Sequence, residues 1–170
     1  MFMKESCRGR QRSTLGKKRS LLLAILLTFA GTAIAQPIVE SYSIWSEAFH
    51  NAFTSLIEYK GNLYCAFREG NSHVDKTGKD FGTIRVLKSK DGGSWDSFDH
   101  IYMEGIDTRD PHFSITKDNT LMLSFEAVKY QEGKTKFRHT YASKLKRRKF
   151  GNPFQLQTDL KADWLWKIRW

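Results

Sequence analysis

The sequence predicts an all-β fold built from four-stranded antiparallel units. Three observations carry this. Beyond residue 36 the apolar residues come in short or alternating runs bounded by Gly and Asn, and no stretch there repeats with helical spacing. Aromatic residues make up 14% of the chain, a composition that favours strands. A similar pattern of runs and turns then occurs a second time, with Leu63 repeated as Leu121, 58 residues on.

The elements follow in order. Residues 1–20 carry seven basic residues against one acid, Glu5, and lead into the uncharged run LLLAILLTFAG (21–31) and then TAIAQP. A basic start, a short apolar stretch and small residues at Ala33 and Ala35 read as a secretory signal helix over 1–35, cleaved after Ala35. The run is about half of what a membrane-spanning helix needs, so no stable span is expected after cleavage. A secreted or periplasmic location follows, with residues 36–170 as the folded domain.

The first strand is predicted over 52–59. It turns at Lys60-Gly61-Asn62 and returns over 63–67. A polar loop, 70–79, precedes a third strand over 82–88. SKDGGSW (89–95) makes the next turn, and a fourth strand runs over 95–102. The second set has strands at 113–116 and 121–125, a polar loop at 131–134 and a strand at 137–143. SKLKRRKF (143–150) stands where SKDGGSW stood, with Ser143 read as the counterpart of Ser89, 54 residues on. A third set is expected to open with an apolar strand at 163–170. Four-stranded units at this period are the signature of β-propeller blades. The chain reads as a partial propeller, two blades and the start of a third out of a probable six, and as a fragment of a longer protein.

Charge narrows the function. The whole chain has 28 basic and 18 acidic residues, net +10. Without residues 1–35, with their seven bases and one acid, 21 bases face 17 acids. A net charge of +4 with both signs mixed gives no footprint for nucleic acid. The cluster Lys144-Leu145-Lys146-Arg147-Arg148-Lys149 reads as a solvated hairpin. Cys65 is the single cysteine left after residue 35, so 36–170 can hold no internal disulfide. Its setting, Tyr64-Cys65-Ala66-Phe67, reads as a packed thiol in a buried strand.

SKDGGSW itself suits a tight turn: Asp91 can accept local backbone N–H groups, glycine tolerates positive φ, and Trp95 buries a large area. It resembles the Asp-box of the sialidase (neuraminidase) superfamily, Ser-x-Asp-x-Gly-x-Thr-Trp, shortened by one residue, with Ser89, Asp91, Gly93 and Trp95 as its structural members. The resemblance extends through LYCAFREG (63–70), TRDPHFSITKDNTLML (108–123) and ADWLWKIRW (162–170), and so covers most of 45–170. It implies a propeller in which the box joins the third and fourth strands of a blade and the aromatic is buried between blades.

The resemblance also implies a glycan-processing exo-glycosidase acting on a glycan or glycoconjugate, with no metal and no cofactor. Sialidases hold a sugar carboxylate with arginines, whose planar fork suits it, and use a loop Asp as acid/base and a Tyr-Glu pair as nucleophile. Asp80 matches the loop acid, with Asp75 as its rival, and both read equally as solvated loop carboxylates. Arg68 and Glu69 either pair with each other or face the pocket. Arg109, Asp110 and His112 gather a cation, an acid and an imidazole at the start of an innermost strand, although Asp110 also reads as a turn cap before Pro111. His50, Asn51 and His73 could line the same face, and Lys167 and Arg169 could add positive charge. One departure weakens sialic acid as the substrate: HNAFTSL (50–56) stands where sialidases carry Arg-Ile-Pro. The Tyr-Glu pair is also not found, so this chain alone is expected to be inactive by that mechanism. A non-catalytic, glycan- or protein-binding propeller is the alternative.

Overall fold

The structure is a computed structural model that describes residues 40–75, 77–156 and 165–170. The expected signal segment, 1–35, lies outside the described residues. Nine strands form in chain order: β1 (His50–Tyr59), β2 (Asn62–Gly70), β3 (Thr83–Ser89), β4 (Trp95–Ile101), β5 (Asp107–Ile115), β6 (Leu121–Gln131), β7 (Lys134–Lys146), β8 (Lys149–Phe150) and β9 (Phe154–Gln155). No described residue is helical. The fold is all-β, as the sequence predicts.

Two antiparallel sheets follow one another, β1-β2-β3-β4 and then β5-β6-β7-β8, with β9 also paired to β7. Each is a meander, because strands consecutive in the chain lie side by side in the sheet. The β1–β2 hairpin turns through Lys60 and Gly61 at φ 49° and 68°, and the β6–β7 hairpin through Glu132 and Gly133 at 52° and 75°. Two successive left-handed residues match the twist of the flanking strands.

Side-chain alternation then decides the packing. On β2 and β3, Tyr64, Ala66, Ile84 and Val86 point to the second sheet and meet Phe113, Leu121, Leu123, Phe125 and Phe150. Cys65, Phe67 and Leu87 point the other way and are covered by Ile44, Trp45 and Trp95. Each large apolar side chain in the inter-sheet core contributes roughly 1.5–3 kcal/mol by its burial. The face of the first sheet that carries Tyr64 and Ala66 thus meets the opposite face of the second, and β5 lies against β1, β2 and β3.

Two expectations need correction. First, residues 165–170 form no strand: none of them joins a ladder. An apolar run becomes a strand only where a neighbour takes its backbone N–H and C=O groups. This one is tethered instead by Leu165 N–H to Thr140 Oγ1 at 3.4 Å and by Trp170 Nε1–H to Ser114 Oγ at 3.5 Å. Second, Ser143 is not the counterpart of Ser89. Tyr64 pairs with Lys88 and Met122 with Lys144, which sets Leu145 in the place of Ser89, and Phe150 faces Leu145 as Trp95 faces Ser89. The aromatic of the turn is kept and its serine is lost. Trp95 stands apart from the core between the two sheets. It lies half-buried on the far face, because it begins β4 on the side of Cys65 and Leu87, and Phe98 packs into the inter-sheet core instead.

The fourth strand of the second sheet is interrupted. β8 and β9 pair with β7 on either side of Gly151-Asn152-Pro153. Pro153 has no N–H to give the ladder, and Gly151 bonds back to Lys144 O at 2.9 Å.

Candidate functional site

The first strand of each sheet carries the same irregularity. On β1 the register passes from Ala52↔Arg68 to Ser55↔Ala66, and on β5 from Arg109↔Glu126 to His112↔Ser124. In both, two residues stand opposite one, a β-bulge that re-aims side chains. The first extra residue is left-handed in each case, Phe53 at φ 60° and Asp110 at φ 51°. A non-glycine residue held there stores about 1–3 kcal/mol of strain. Pro111, the second extra residue on β5, has no N–H that the bulge could strand.

Beside the β5 bulge lies a buried charge cluster. Asp107 is 1% exposed and Arg68 0%. Arg68 Nε–H donates to Asp107 Oδ1 at 3.0 Å, and its Nη2 lies 3.0 Å from the same oxygen as a charge contact. Arg109 donates to Asp107 Oδ2 through Nε at 3.1 Å and also through Nη2. Gly82 N–H adds a further bond to Oδ1 at 2.8 Å. One carboxylate therefore binds two guanidiniums and a backbone amide, and fastens the start of the second sheet to the first.

Asp110 differs. It is 3% exposed, and neither carboxyl oxygen has a hydrogen-bond partner among the described residues. Burial holds its carboxyl above the usual carboxylate range, against the pull of Arg109, His112 and Arg138. Glu126, the ladder partner of Arg109, is also buried. It accepts a 2.5 Å bond from Thr140 on Oε1, while Oε2 has no described partner. Burial raises it too, and Asp110 adds a smaller upward push. Two carboxyls thus sit near each other where water does not stabilise their charge. The His112 imidazole is pushed down by burial, which keeps it neutral near pH 7, with Asp110 pulling up and Lys167 down. Its Nε2 has no described partner.

His112 borders a cavity of about 610 Å³. The walls come from Ser55–Ile57 of β1, His112–Ile115 of β5 and Lys167–Trp170. The Trp166 ring stands 6.0 Å from the His112 ring. The cavity therefore combines two cations, tryptophan and a neutral imidazole, with Asp110 two residues from that imidazole.

The structure places the other candidates as follows. Arg68 and Glu69 leave opposite faces of β2 and do not pair with each other. Glu69 binds Arg85 at 2.8 Å and accepts from Trp45 Nε1 at 2.7 Å. Asp80 accepts from Asn71 N–H at 3.1 Å and from Asn71 Nδ2 at 3.2 Å. Asp75 accepts from the N–H groups of Thr77, Lys79 and Asp80, which ties its loop and lowers its pKa, the Thr77 side-chain bond contributing most. His50 and His73 come together at 5.2 Å between rings, with Phe53 5.4 Å from His73. In the turn, Asp91 Oδ1 accepts from Gly93 N–H at 2.9 Å and Ser94 N–H at 3.1 Å, Ser89 Oγ accepts from Gly92 N–H at 2.8 Å, and Trp95 Nε1–H closes on Gly92 O at 2.9 Å. Gly92 takes the positive φ, 82°.

Asp107 and Glu126 were not among the sequence candidates. Each is an acid inside a strand, and Glu126 stands alone in the apolar run LMLSFEAV, a signal that a buried role was at hand. Among the described residues no cluster of three or more His, Cys, Asp and Glu could hold a metal ion, and no helix is long and apolar enough to cross a membrane.

No protein-family profile matches the chain, and no curated protein matches it. Among solved structures it is similar to a protein of unknown function from Dyadobacter fermentans, at 21% identity and TM-score 0.48, covering 64% of this chain and 37% of that one. It is also similar to a proposed glycoside hydrolase from Parabacteroides distasonis (14% identity, TM-score 0.43, 62% and 31% covered). A glycosyl hydrolase from Bacteroides ovatus gives 11% identity and TM-score 0.42, with 62% and 30% covered. The chain spans about a third of the length of these proteins. Likenesses this distant assign no function, which has to come from the residues.

Proposed function

We propose that the chain is part of a secreted β-propeller that binds and processes a glycan, its two sheets being neighbouring blades. The observation that carries the reading is Asp110: a buried carboxyl with no described partner, two residues from a neutral His112 at the edge of a cavity that also holds Lys167, Arg169 and Trp170. Hydrolysis of a glycosidic bond needs a carboxyl that keeps its proton near neutrality and a second group to act as base or nucleophile. Asp110 and Glu126, both pushed upward, suit the first task, and neutral His112 suits proton transfer. Trp166 and Trp170 offer faces for a sugar ring, and Lys167 and Arg169 favour an anionic one.

The finer reading is a sialidase-related exo-glycosidase, with Asp80 as the loop acid and Arg68, Glu69 and Arg109 around the substrate. The turn at 89–95, bonded as an Asp-box would be, supports the family. A second reading, a non-catalytic glycan- or protein-binding propeller, is favoured by Arg68, which is buried against Asp107, and by Asp80, whose two carboxyl oxygens both accept from Asn71.

Binding and turnover of aryl sialosides and neutral aryl glycosides, measured on one preparation with Asp80→Asn, Asp110→Asn, Glu126→Gln and Lys167→Gln/Arg169→Gln, separate these. The proposal expects anionic glycan binding that Lys167→Gln/Arg169→Gln weakens. Where turnover is present, Asp110→Asn lowers it by about 10²–10⁴-fold. Loss of turnover in Asp80→Asn alone supports the sialidase reading. Binding without turnover of any substrate supports the binding module. No binding of any glycan overturns all three. Secretion predicts a mature chain that starts at Gln36, which N-terminal sequencing checks.

A further inference from the structure

At the far end of the strands from the β5 bulge, three turns converge: Lys60-Gly61 after β1, 116–120 after β5, and Arg147-Arg148 after β7. Between them lies a cleft of about 360 Å³, lined by Tyr59, Lys60, Asn62, Tyr64, Thr120, Leu145 and Arg147. It shares no residue with the cavity at His112.

Its lining holds two cations and no carboxylate. One more cation adjoins it, Lys88, whose Nζ stands 5.7 Å from the Tyr64 ring centre, while Lys144 acts electrostatically on Asp118. Asp118, the acid of the 116–120 turn, is engaged by the hydroxyls of Thr116 and Thr120. The walls are also fixed. Tyr59 Oη–H donates to Asn119 O at 2.7 Å and locks the first turn to the second, and Lys60 Nζ rests 4.8 Å over the Tyr59 ring. Lys60 and Arg147 are the left-handed residues of their turns, φ 49° and 53°, which sets the direction in which each side chain leaves its hairpin. Two cations, an amide and tyrosine walls, in a volume suited to one ring, are the parts of a site for a ring that bears a strong anion.

We infer that this cleft binds a sulfate or phosphate ester carried on a single sugar-sized ring, with Lys60 and Arg147 on the anion and the tyrosine walls beside the ring. The inference does not depend on the reading of the His112 cavity. The anion is the shared chemistry, and the probe set distinguishes its two sources.

The test is calorimetric titration of the chain with glucose 6-sulfate, glucose 6-phosphate, glucose, inorganic sulfate and inorganic phosphate, at low and at physiological salt. One or both esters should bind at least tenfold more tightly than glucose and than the matching free ion. The tighter ester names the source. Raising the salt should weaken the binding. Lys60→Gln/Arg147→Gln should lower ester affinity at least tenfold with an unchanged thermal midpoint, both residues being exposed. Lys134→Gln/Lys136→Gln, on the hairpin at the other end, should leave it unchanged. Equal affinity in the Lys60→Gln/Arg147→Gln variant, equal loss in both variants, or free ions that bind as well as the esters would overturn the inference.

Discussion

Arg68 and Asp107 meet at 3.0 Å across the junction of the two sheets, one from β2 and the other from the first position of β5, with almost no surface left to water. The contact joins residues 39 apart in the chain and explains why β5 starts where it does. Just before the bond forms, the 102–106 connection turns at Glu104-Gly105 (Gly105 φ 69°) and Ile106 N–H closes on Met103 O at 3.1 Å. Thr108 then donates from N–H and Oγ1 to Gly82 O at 2.8 and 3.0 Å. Charge and backbone bonds together hold the two sheets at this end, while the aromatic core holds them along their length.

Replacing Asp107 with alanine leaves two buried guanidiniums facing each other without their carboxylate. Breaking a buried pair from one side costs about 3–5 kcal/mol. Urea unfolding of Asp107→Ala should show a loss of that size. Replacing Asp107, Arg68 and Arg109 together by apolar residues of similar volume should recover much of it. A loss below about 1 kcal/mol in the single variant would show that the cluster is already compensated elsewhere.

Gly82 is required here for space and not for its backbone angle. A Cβ built on it would lie 2.1 Å from Arg68 Nε and 2.3 Å from Asp107 Oδ1. Gly82→Ala must therefore separate the pair or displace the strand, and should destabilise by roughly 1–3 kcal/mol. The same damage is done by Asp107→Ala, so the double variant should be less unstable than the sum of the singles. A double-mutant cycle that shows strict additivity contradicts a shared mechanism.

The strands were legible in the sequence because alternation and Gly or Asn turns are local signals, and the β1–β2 and β6–β7 hairpins show both. What partners a residue across the sheets was not legible. Arg68 reads as a strand-end cation until Asp107 is brought to it, and which face Trp95 takes is fixed only when register sets it beside Cys65. Ser143 and Ser89 share a residue type but not a position for a related reason: hydrogen-bond register, not residue identity, decides which residues correspond. The run at 163–170 was legible as apolar, but an apolar run does not state whether a neighbour exists to pair with it. At the site, Asp110 and His112 stood out by residue type, while Glu126 was marked only by standing alone as a charge in the apolar run LMLSFEAV.

Cys65 should be chemically silent in the folded protein. It is 2% exposed and burial pushes its thiol up to about 11, so almost no thiolate is present at neutral pH. Iodoacetamide at pH 8 should label it only at the rate of unfolding, and labelling should become fast in urea. Rapid labelling of the folded chain at Cys65 would place it at a mobile edge and not in the Phe67–Leu87 cluster.

The turn at 89–95 should be sensitive to acid through Asp91. The bonds from Ser94 and Gly93 N–H hold its carboxyl below the usual carboxylate range. A group whose folded pKa is depressed adds stability above its unfolded pKa, about 3.9, and loses it as the pH falls through the folded value. Asp91→Ala should therefore lower the thermal midpoint at pH 7, and its difference from the unaltered chain should narrow below about pH 4. A difference that stays constant from pH 7 to pH 2 would mean that the turn does not depend on the charge.

Asp110 and Glu126 carry the opposite sign. Their folded-state pKa values are raised, by burial first in both, so the folded protein holds these protons more tightly than the unfolded chain does. Stability is then greatest below the unfolded values of about 3.9 and 4.3, and declines as the pH rises from there through the folded values. Asn at 110 keeps the side-chain volume and tolerates the left-handed backbone, and Gln at 126 keeps an oxygen for Thr140. Asp110→Asn/Glu126→Gln should flatten that decline, leaving the variant more stable than the unaltered chain at pH 8 and no more stable than it near pH 4. That outcome would mean that the chain holds two protons at a cost in folding, which the proposed proton transfer would explain. Parallel pH–stability curves for the two proteins would show that both carboxyls are solvated after all, and would remove Asp110 from the proposed chemistry.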